Sequence, residues 1–154
     1  MRYVGTVLTW VSLPVSSLAI AVGCASSPPP AAEPAPPATF AEQVTLGQAA
    51  YGRSCAGCHG AAGEGATAPR VVGLAAGALP LDPPADRQAR KSRFVTVADV
   101  ATFVVQTMPP KAPGSLSAEE YWAVLAFDLH ANGIDLQQKL TPELAATLTI
   151  PRAP

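Results

Sequence analysis

The chain has 154 residues, 14% of them charged, a formal net charge of −1 and 17 prolines. That length suits one domain of ordinary size, and the even charge balance excludes the basic footprint of a nucleic-acid binder. Three cysteines cannot all pair within the chain, so a disulfide scaffold is excluded, while 49% hydrophobic residues, many of them alanine, favour helices over sheets.

From Tyr3 to Val22 no residue is charged, and Arg2 alone precedes the run. This is the layout of an export signal, a short basic region followed by an apolar one. The run ends in Ala21-Val22-Gly23-Cys24, small residues directly before a cysteine. The string resembles the lipobox of bacterial lipoproteins, which implies that Cys24 is lipidated and becomes the new N-terminus, although Ala21 stands where leucine is usual. Two other readings stay open. Residues 1–23 could remain as an uncleaved anchor, which Pro14 and the scattered Ser and Thr residues disfavour, or Cys24 is only a small residue beside an ordinary cleavage site. Residues 24–38 form a Pro/Ala-rich tether: six of the fourteen residues from Ala25 to Ala38 are proline. As a polyproline II spacer this stretch reaches roughly 43 Å. Folded structure is then predicted over residues 39–133, followed by a C-terminal extension, 134–154.

A helix is predicted from Ala41 into Cys55, with Gly47, Tyr51 and Cys55 four residues apart, and the glycine permits close approach of a second helix. The next string, Cys55-Ala56-Gly57-Cys58-His59, is the attachment signature of c-type haem. On one helical turn positions i, i+3 and i+4 share a face. Cys55 and Cys58 can therefore form thioethers to the two haem vinyl groups while His59 supplies the proximal imidazole. A thioredoxin-like dithiol would need a preceding strand in a βαβ unit, and a structural zinc site needs four ligands, for which only His130 is left outside the export segment.

Leu81 to Arg93 reads as a loop in which Arg87, Arg90, Lys91 and Arg93 form either a docking patch for an acidic partner or a solvated face. Thr96-Val97-Ala98-Asp99 is a capping box that opens a short helix from Val97 to about Gln106. Met108 follows, fixed by Pro109 and Pro110 on an extended loop. Such a methionine either fills a gap in the core or, beside a haem motif, presents its thioether to iron. Ser117 and Glu120 cap a last strong helix running to about His130, with Tyr121, Val124, Leu125 and Phe127 near one stripe and Glu119, Glu120 and Asp128 elsewhere. His130, the competing ligand, lies where a histidine commonly serves a helix C-terminus. In the extension, Thr141-Pro142-Glu143 starts a short helix.

On these residues the domain resembles class I cytochromes c, over about Thr45 to Gly133. The resemblance implies a small all-α fold of three to five helices wrapped around one covalently bound haem c. It places Gly47 and Tyr51 against Phe127 and Val124, where the N- and C-terminal helices of that family cross. It matches Met108-Pro109-Pro110 to the methionine loop, with His59 and Met108 49 positions apart as in the shorter bacterial members. It also implies that the Pro69 carbonyl receives the free ring nitrogen of His59. Arg70 is a candidate partner for a haem propionate.

The function expected is one-electron transfer by a monohaem cytochrome with His59 and Met108 as axial ligands. No substrate bond changes, so neither an enzyme nor a small-molecule substrate is expected. Its partners would be redox proteins met transiently, and Cys24 would tether it to a membrane on the periplasmic side of a bacterial envelope. One alternative is an electron-accepting subunit of a membrane dehydrogenase or oxidase complex. Another is a haem sensor or enzyme in which Met108 is displaced.

Overall fold

Thr39 cannot leave the first backbone donors of a helix unsatisfied: its hydroxyl accepts from Glu42 N (3.2 Å), and the Glu42 carboxylate accepts in return from Thr39 N (3.0 Å) and Ala38 N (2.8 Å). This reciprocal cap starts α1, Phe40–Ser54, whose buried residues Phe40, Gln43, Gly47, Ala50 and Tyr51 recur at helical spacing. The computed structural model describes residues 35–78, 82 and 93–151. The export segment, Cys24, the tether up to residue 34 and the cations Arg87, Arg90 and Lys91 lie outside the described residues.

The single turn α2, Ala56–His59, follows directly, and a short 3-10 turn at Leu74–Ala76 sits in the loop beyond it. The capping box expected at Thr96 and Asp99 forms and opens α3, Val97–Thr107. A third box, Ser117 with Glu120, opens α4, Ala118–Ala131. Pro142 occupies the first turn of α5, Pro142–Thr147, where its missing N–H costs nothing. The all-α fold of three to five helices is what forms: five α-helices and one isolated antiparallel bridge, Thr96 to Thr149, among the described residues. None of the described helices is long and apolar enough to cross a membrane.

The helix α4 is buried on several sides, through Tyr121, Ala123, Val124, Leu125, Ala126 and Leu129. One side meets α1, where Ala50, Tyr51 and Val124 form a small cluster with Cys55, Val71 and Phe127 at its margin. The other meets a larger core that includes Phe40, Phe94, Val97, Val100, Ala101, Leu140, Ala145 and Ile150. Three of these residues belong to the extension after Gly133, so 134–151 and 39–133 share one core. The backbone joins them as well: Val97 N donates to Leu148 O (3.0 Å) and Ile150 N to Val95 O (3.0 Å).

Gln43 explains how the extension is held. Fully buried on α1, it donates from Nε2 to Leu140 O (3.0 Å) and accepts at Oε1 from Leu140 N (2.9 Å). A primary amide is the side chain that satisfies both backbone groups at once. Gln43→Ala would leave two buried backbone groups without partners, at about 1–3 kcal/mol each. We expect a loss of about 2–4 kcal/mol, read as a lower urea midpoint at unchanged slope; an unmoved midpoint would show that water replaces the amide.

Candidate functional site

At the end of α1 the backbone turns at Cys55 (φ −122°, ψ −38°), whose N–H still donates to Tyr51 O (2.8 Å). The next turn closes through Cys58 N to Cys55 O (3.1 Å) and His59 N to Cys55 O (3.0 Å). Cys55, Cys58 and His59 thus share one turn, as the spacing predicts, with Cys55 and His59 half-buried and Cys58 exposed.

Gly60 leaves the turn at φ 88°, a left-handed geometry that glycine adopts without strain, and a Cβ there would lie 2.4 Å from Glu64 Oε2. The loop then folds back onto the turn it left. Gly65 N donates to His59 O (2.7 Å) and Ala68 N to Cys58 O (2.9 Å), which carries the Pro69 carbonyl to 2.7 Å from His59 Nδ1. A carbonyl only accepts, so Nδ1 carries the proton and the neutral ring keeps its lone pair on Nε2, the nitrogen free to bind a metal. A partner of this kind fixes both the tautomer and the orientation of a ligating histidine.

Tyr51 supports the same turn from α1. Its hydroxyl donates to Gly60 O (3.0 Å), and its ring packs on Phe127 with centroids 5.0 Å apart. Burial, then the charges of Asp128, Cys55 and Glu64, raise its phenol well above the ordinary value. The Cys55 thiol is pushed up to about 11, by burial first and then by Asp128 and Cys58. The helices α1 and α4 cross at Gly47, where an added Cβ would lie 1.9 Å from Ala123 O.

Met108 ends α3. Its N–H donates to Val104 O (2.8 Å), its backbone is already extended (φ −120°, ψ 143°), and its carbonyl accepts from the buried Tyr121 hydroxyl of α4 (2.7 Å). The methionine backbone is therefore anchored to the helix that packs on α1. The sequence reading placed Tyr121 only on an apolar stripe, and a stripe does not reveal where its hydroxyl points.

The structure does not bring His130 to this group. It is exposed, with Nδ1 2.6 Å from Asp135 Oδ1. Arg70 is half-buried and lies close enough to Glu64 to help lower the pKa of that carboxyl, after the backbone donors of Glu64 and Ala62. Asn132 follows the last turn of α4. Its Nδ2 donates to Val71 O (2.8 Å) and Asp128 O (2.8 Å) while Oδ1 accepts from Gly73 N (2.9 Å), clasping the loop after Pro69 to the end of α4. Asp128, expected among the polar residues off the stripe, instead has Oδ1 shut off from solvent with no hydrogen-bond donor in reach.

Two cysteines and a histidine on one turn, with the outer imidazole nitrogen already occupied, form a donor set suited to a covalently attached haem. Residues 42–127 match the family described as Cytochrome C oxidase, cbb3-type, subunit III. The fold is similar to a chain in the crystal structure of the sulfane dehydrogenase SoxCD from Paracoccus pantotrophus, with a TM-score of 0.51 and 26% identity over 70% of this chain and 53% of that one. The match thus spans about half the length of the SoxCD chain. No curated protein matches the sequence.

Proposed function

This chain belongs to the cytochrome c family, whose members carry covalently bound haem c and transfer electrons, and on that premise we propose that it is a monohaem carrier closed by His59 and Met108. Cys55 and Cys58 would hold the haem through thioethers, and His59 Nε2 and the Met108 thioether would be its iron ligands. The bound group supplies a metal that accepts and returns one electron. The Pro69 carbonyl orients the imidazole and Tyr121 fixes the methionine backbone. The observation that carries this reading is the His59 Nδ1 to Pro69 bond on the turn that also bears both cysteines. Ligation by His and Met rather than two histidines favours a higher potential. With both ligands in place the iron would have no open position, which favours electron transfer over chemistry on a bound substrate.

Met108→Ala tests the ligand pair. The oxidised parent is expected to show the weak thioether-to-iron absorption and, when reduced, to bind carbon monoxide slowly. The variant is expected to lose that absorption entirely and to bind carbon monoxide at once. A band that survives the substitution would remove Met108 from the iron.

Tethering belongs to the same proposal. A lipidated Cys24 would hold the domain on the periplasmic side of a membrane at the end of a spacer of roughly 43 Å. Mass spectrometry of the mature N-terminus decides: a diacylglyceryl Cys24 supports the tether, and an intact Met1 contradicts it. The likeness to a chain of SoxCD supports a second reading, a cytochrome subunit that accepts electrons within a dehydrogenase complex. Val95 and Val105 are the exposed large hydrophobic residues among those described. So small an apolar surface suits a transient encounter better than a permanent interface. Copurification of an untagged dehydrogenase in fixed ratio would favour the subunit.

A further inference from the structure

Asp128 is buried at a place the electron-carrier reading does not use. It stands on α4 and lines a small apolar cavity with Val97 and Val100 of α3, Leu125 and Leu129 of its own helix, and Ile150 from the C-terminal segment. Among the described residues no cation pairs with it. The contrast is Glu119, whose buried Oε1 also lacks a geometrically sound hydrogen bond but has Lys139 Nζ at 2.9 Å. Burial is the cause that shifts Asp128, and it pushes the carboxyl up to about 8.

Asp128 directly follows Phe127, whose ring packs on Tyr51, and Cys55 lies at the margin of the same cluster. Its charge contributes, after burial, to the upward shifts of the Tyr51 phenol and the Cys55 thiol on α1. Across the cavity α3 and the C-terminal segment present only apolar side chains. Cys55 as a thioether does not titrate, and the Tyr51 phenol is raised further from neutrality. Asp128 is therefore the group of this cluster that burial pushes toward neutrality, and a haem held by Cys55 would bring a new charge into the same low-dielectric interior.

Resting on the assignment of a haem to Cys55 and Cys58, we propose that Asp128 is the proton acceptor coupled to electron transfer in this protein: it binds one proton when the domain gains one electron. The redox partner donates one electron to the oxidised domain, the Asp128 carboxylate takes one proton from water to form a carboxylic acid, and reoxidation releases both. Only an O–H bond forms or breaks. The added negative charge makes the carboxylate a stronger base, so the reduced protein holds the proton to a higher pH than the oxidised protein.

The experiment is a potentiometric titration of the haem-loaded protein from acid to alkaline pH, in the parent and in Asp128→Asn. Between the two Asp128 pKa values the parent midpoint is expected to fall as pH rises, approaching a tenfold change in the reduction equilibrium per pH unit, about 59 mV. The variant is expected to lose this component. Its midpoint should match the parent at acid pH, where Asp128 is neutral in both, and lie above it at alkaline pH, where only the parent carries the negative charge. Should Asp128→Asn fold poorly, the parent alone still answers, because its reduced-minus-oxidised infrared difference spectrum should gain a protonated-carboxyl C=O stretch. Equal slopes in parent and variant, or no carboxyl signal on reduction, would overturn the assignment while a normal c-type spectrum leaves the haem reading standing. A protein that matures without haem would instead remove the haem reading itself.

Discussion

Gly47→Ala is expected to cost about 3 kcal/mol or more, a large fraction of a stability that for domains of this kind is about 5–15 kcal/mol. A single methyl group rarely does so much. Here the ideal Cβ would sit 1.9 Å from Ala123 O and 2.4 Å from its carbonyl carbon, both backbone atoms of α4, with Phe127 Cβ at 3.0 Å. A side chain can swing aside, but a helix backbone moves as a body. Opening the crossing also loosens the Tyr51–Phe127 contact and, through Tyr121, the anchor on Met108. The check is the urea midpoint of the haem-loaded protein, paired with Gly52→Ala on the same helix. Gly52 has nothing within 4 Å and is exposed, so there the substitution should add about 0.5–1 kcal/mol by its helix preference alone. Two variants of identical chemistry should therefore move in opposite directions, and a Gly47→Ala protein as stable as Gly52→Ala would mean that the helices do not meet this closely.

Replacing both Cys55 and Cys58 with serine is expected to abolish covalent haem completely and to unfold the α1–α2 end of the domain. The two hydrophobic clusters differ in size. Among the described residues the larger, centred on α3, α4 and α5, contains eleven that are buried, whereas the one beside the cysteines contains Ala50, Tyr51 and Val124. Three residues give little buried apolar area, so that end depends on a large apolar macrocycle to complete its interior. After extraction in acid acetone the pigment should remain with the parent protein and leave the double variant, whose helical circular dichroism should also fall. A double variant that keeps its colour through extraction would refute the attachment through these two sulfurs. With Cys58→Ser alone, one thioether should survive, and the reduced visible band should shift rather than vanish.

The parts of this protein that a reader of the sequence could place are those governed by neighbours within about four residues. Thr39 with Glu42, Thr96 with Asp99 and Ser117 with Glu120 each reveal a helix start because the capping partners lie three positions apart. The cysteines and His59 share a face because one helical turn puts them there, and Met108 is extended because prolines follow it. The pairing of His59 with Pro69 was reached by resemblance, because the glycine loop between them has no periodicity to read.

Burial of the polar residues was decided elsewhere. Gln43 looks like an ordinary helix polar residue until Leu140, 97 positions away, arrives with two unpaired backbone groups. Asn132 becomes a clasp only when Val71 and Gly73 are folded onto the end of α4. Asp128 lies off the apolar stripe of Tyr121, Val124, Leu125 and Phe127, yet α4 is enclosed by a second set of elements, α3 and the segment after Gly133, and they close over it. Spacing along the chain determines which residues share a helical face, and that much was present in the sequence. Which faces become interior depends on how many elements converge on one helix, a consequence of long-range packing that the tertiary structure alone decides.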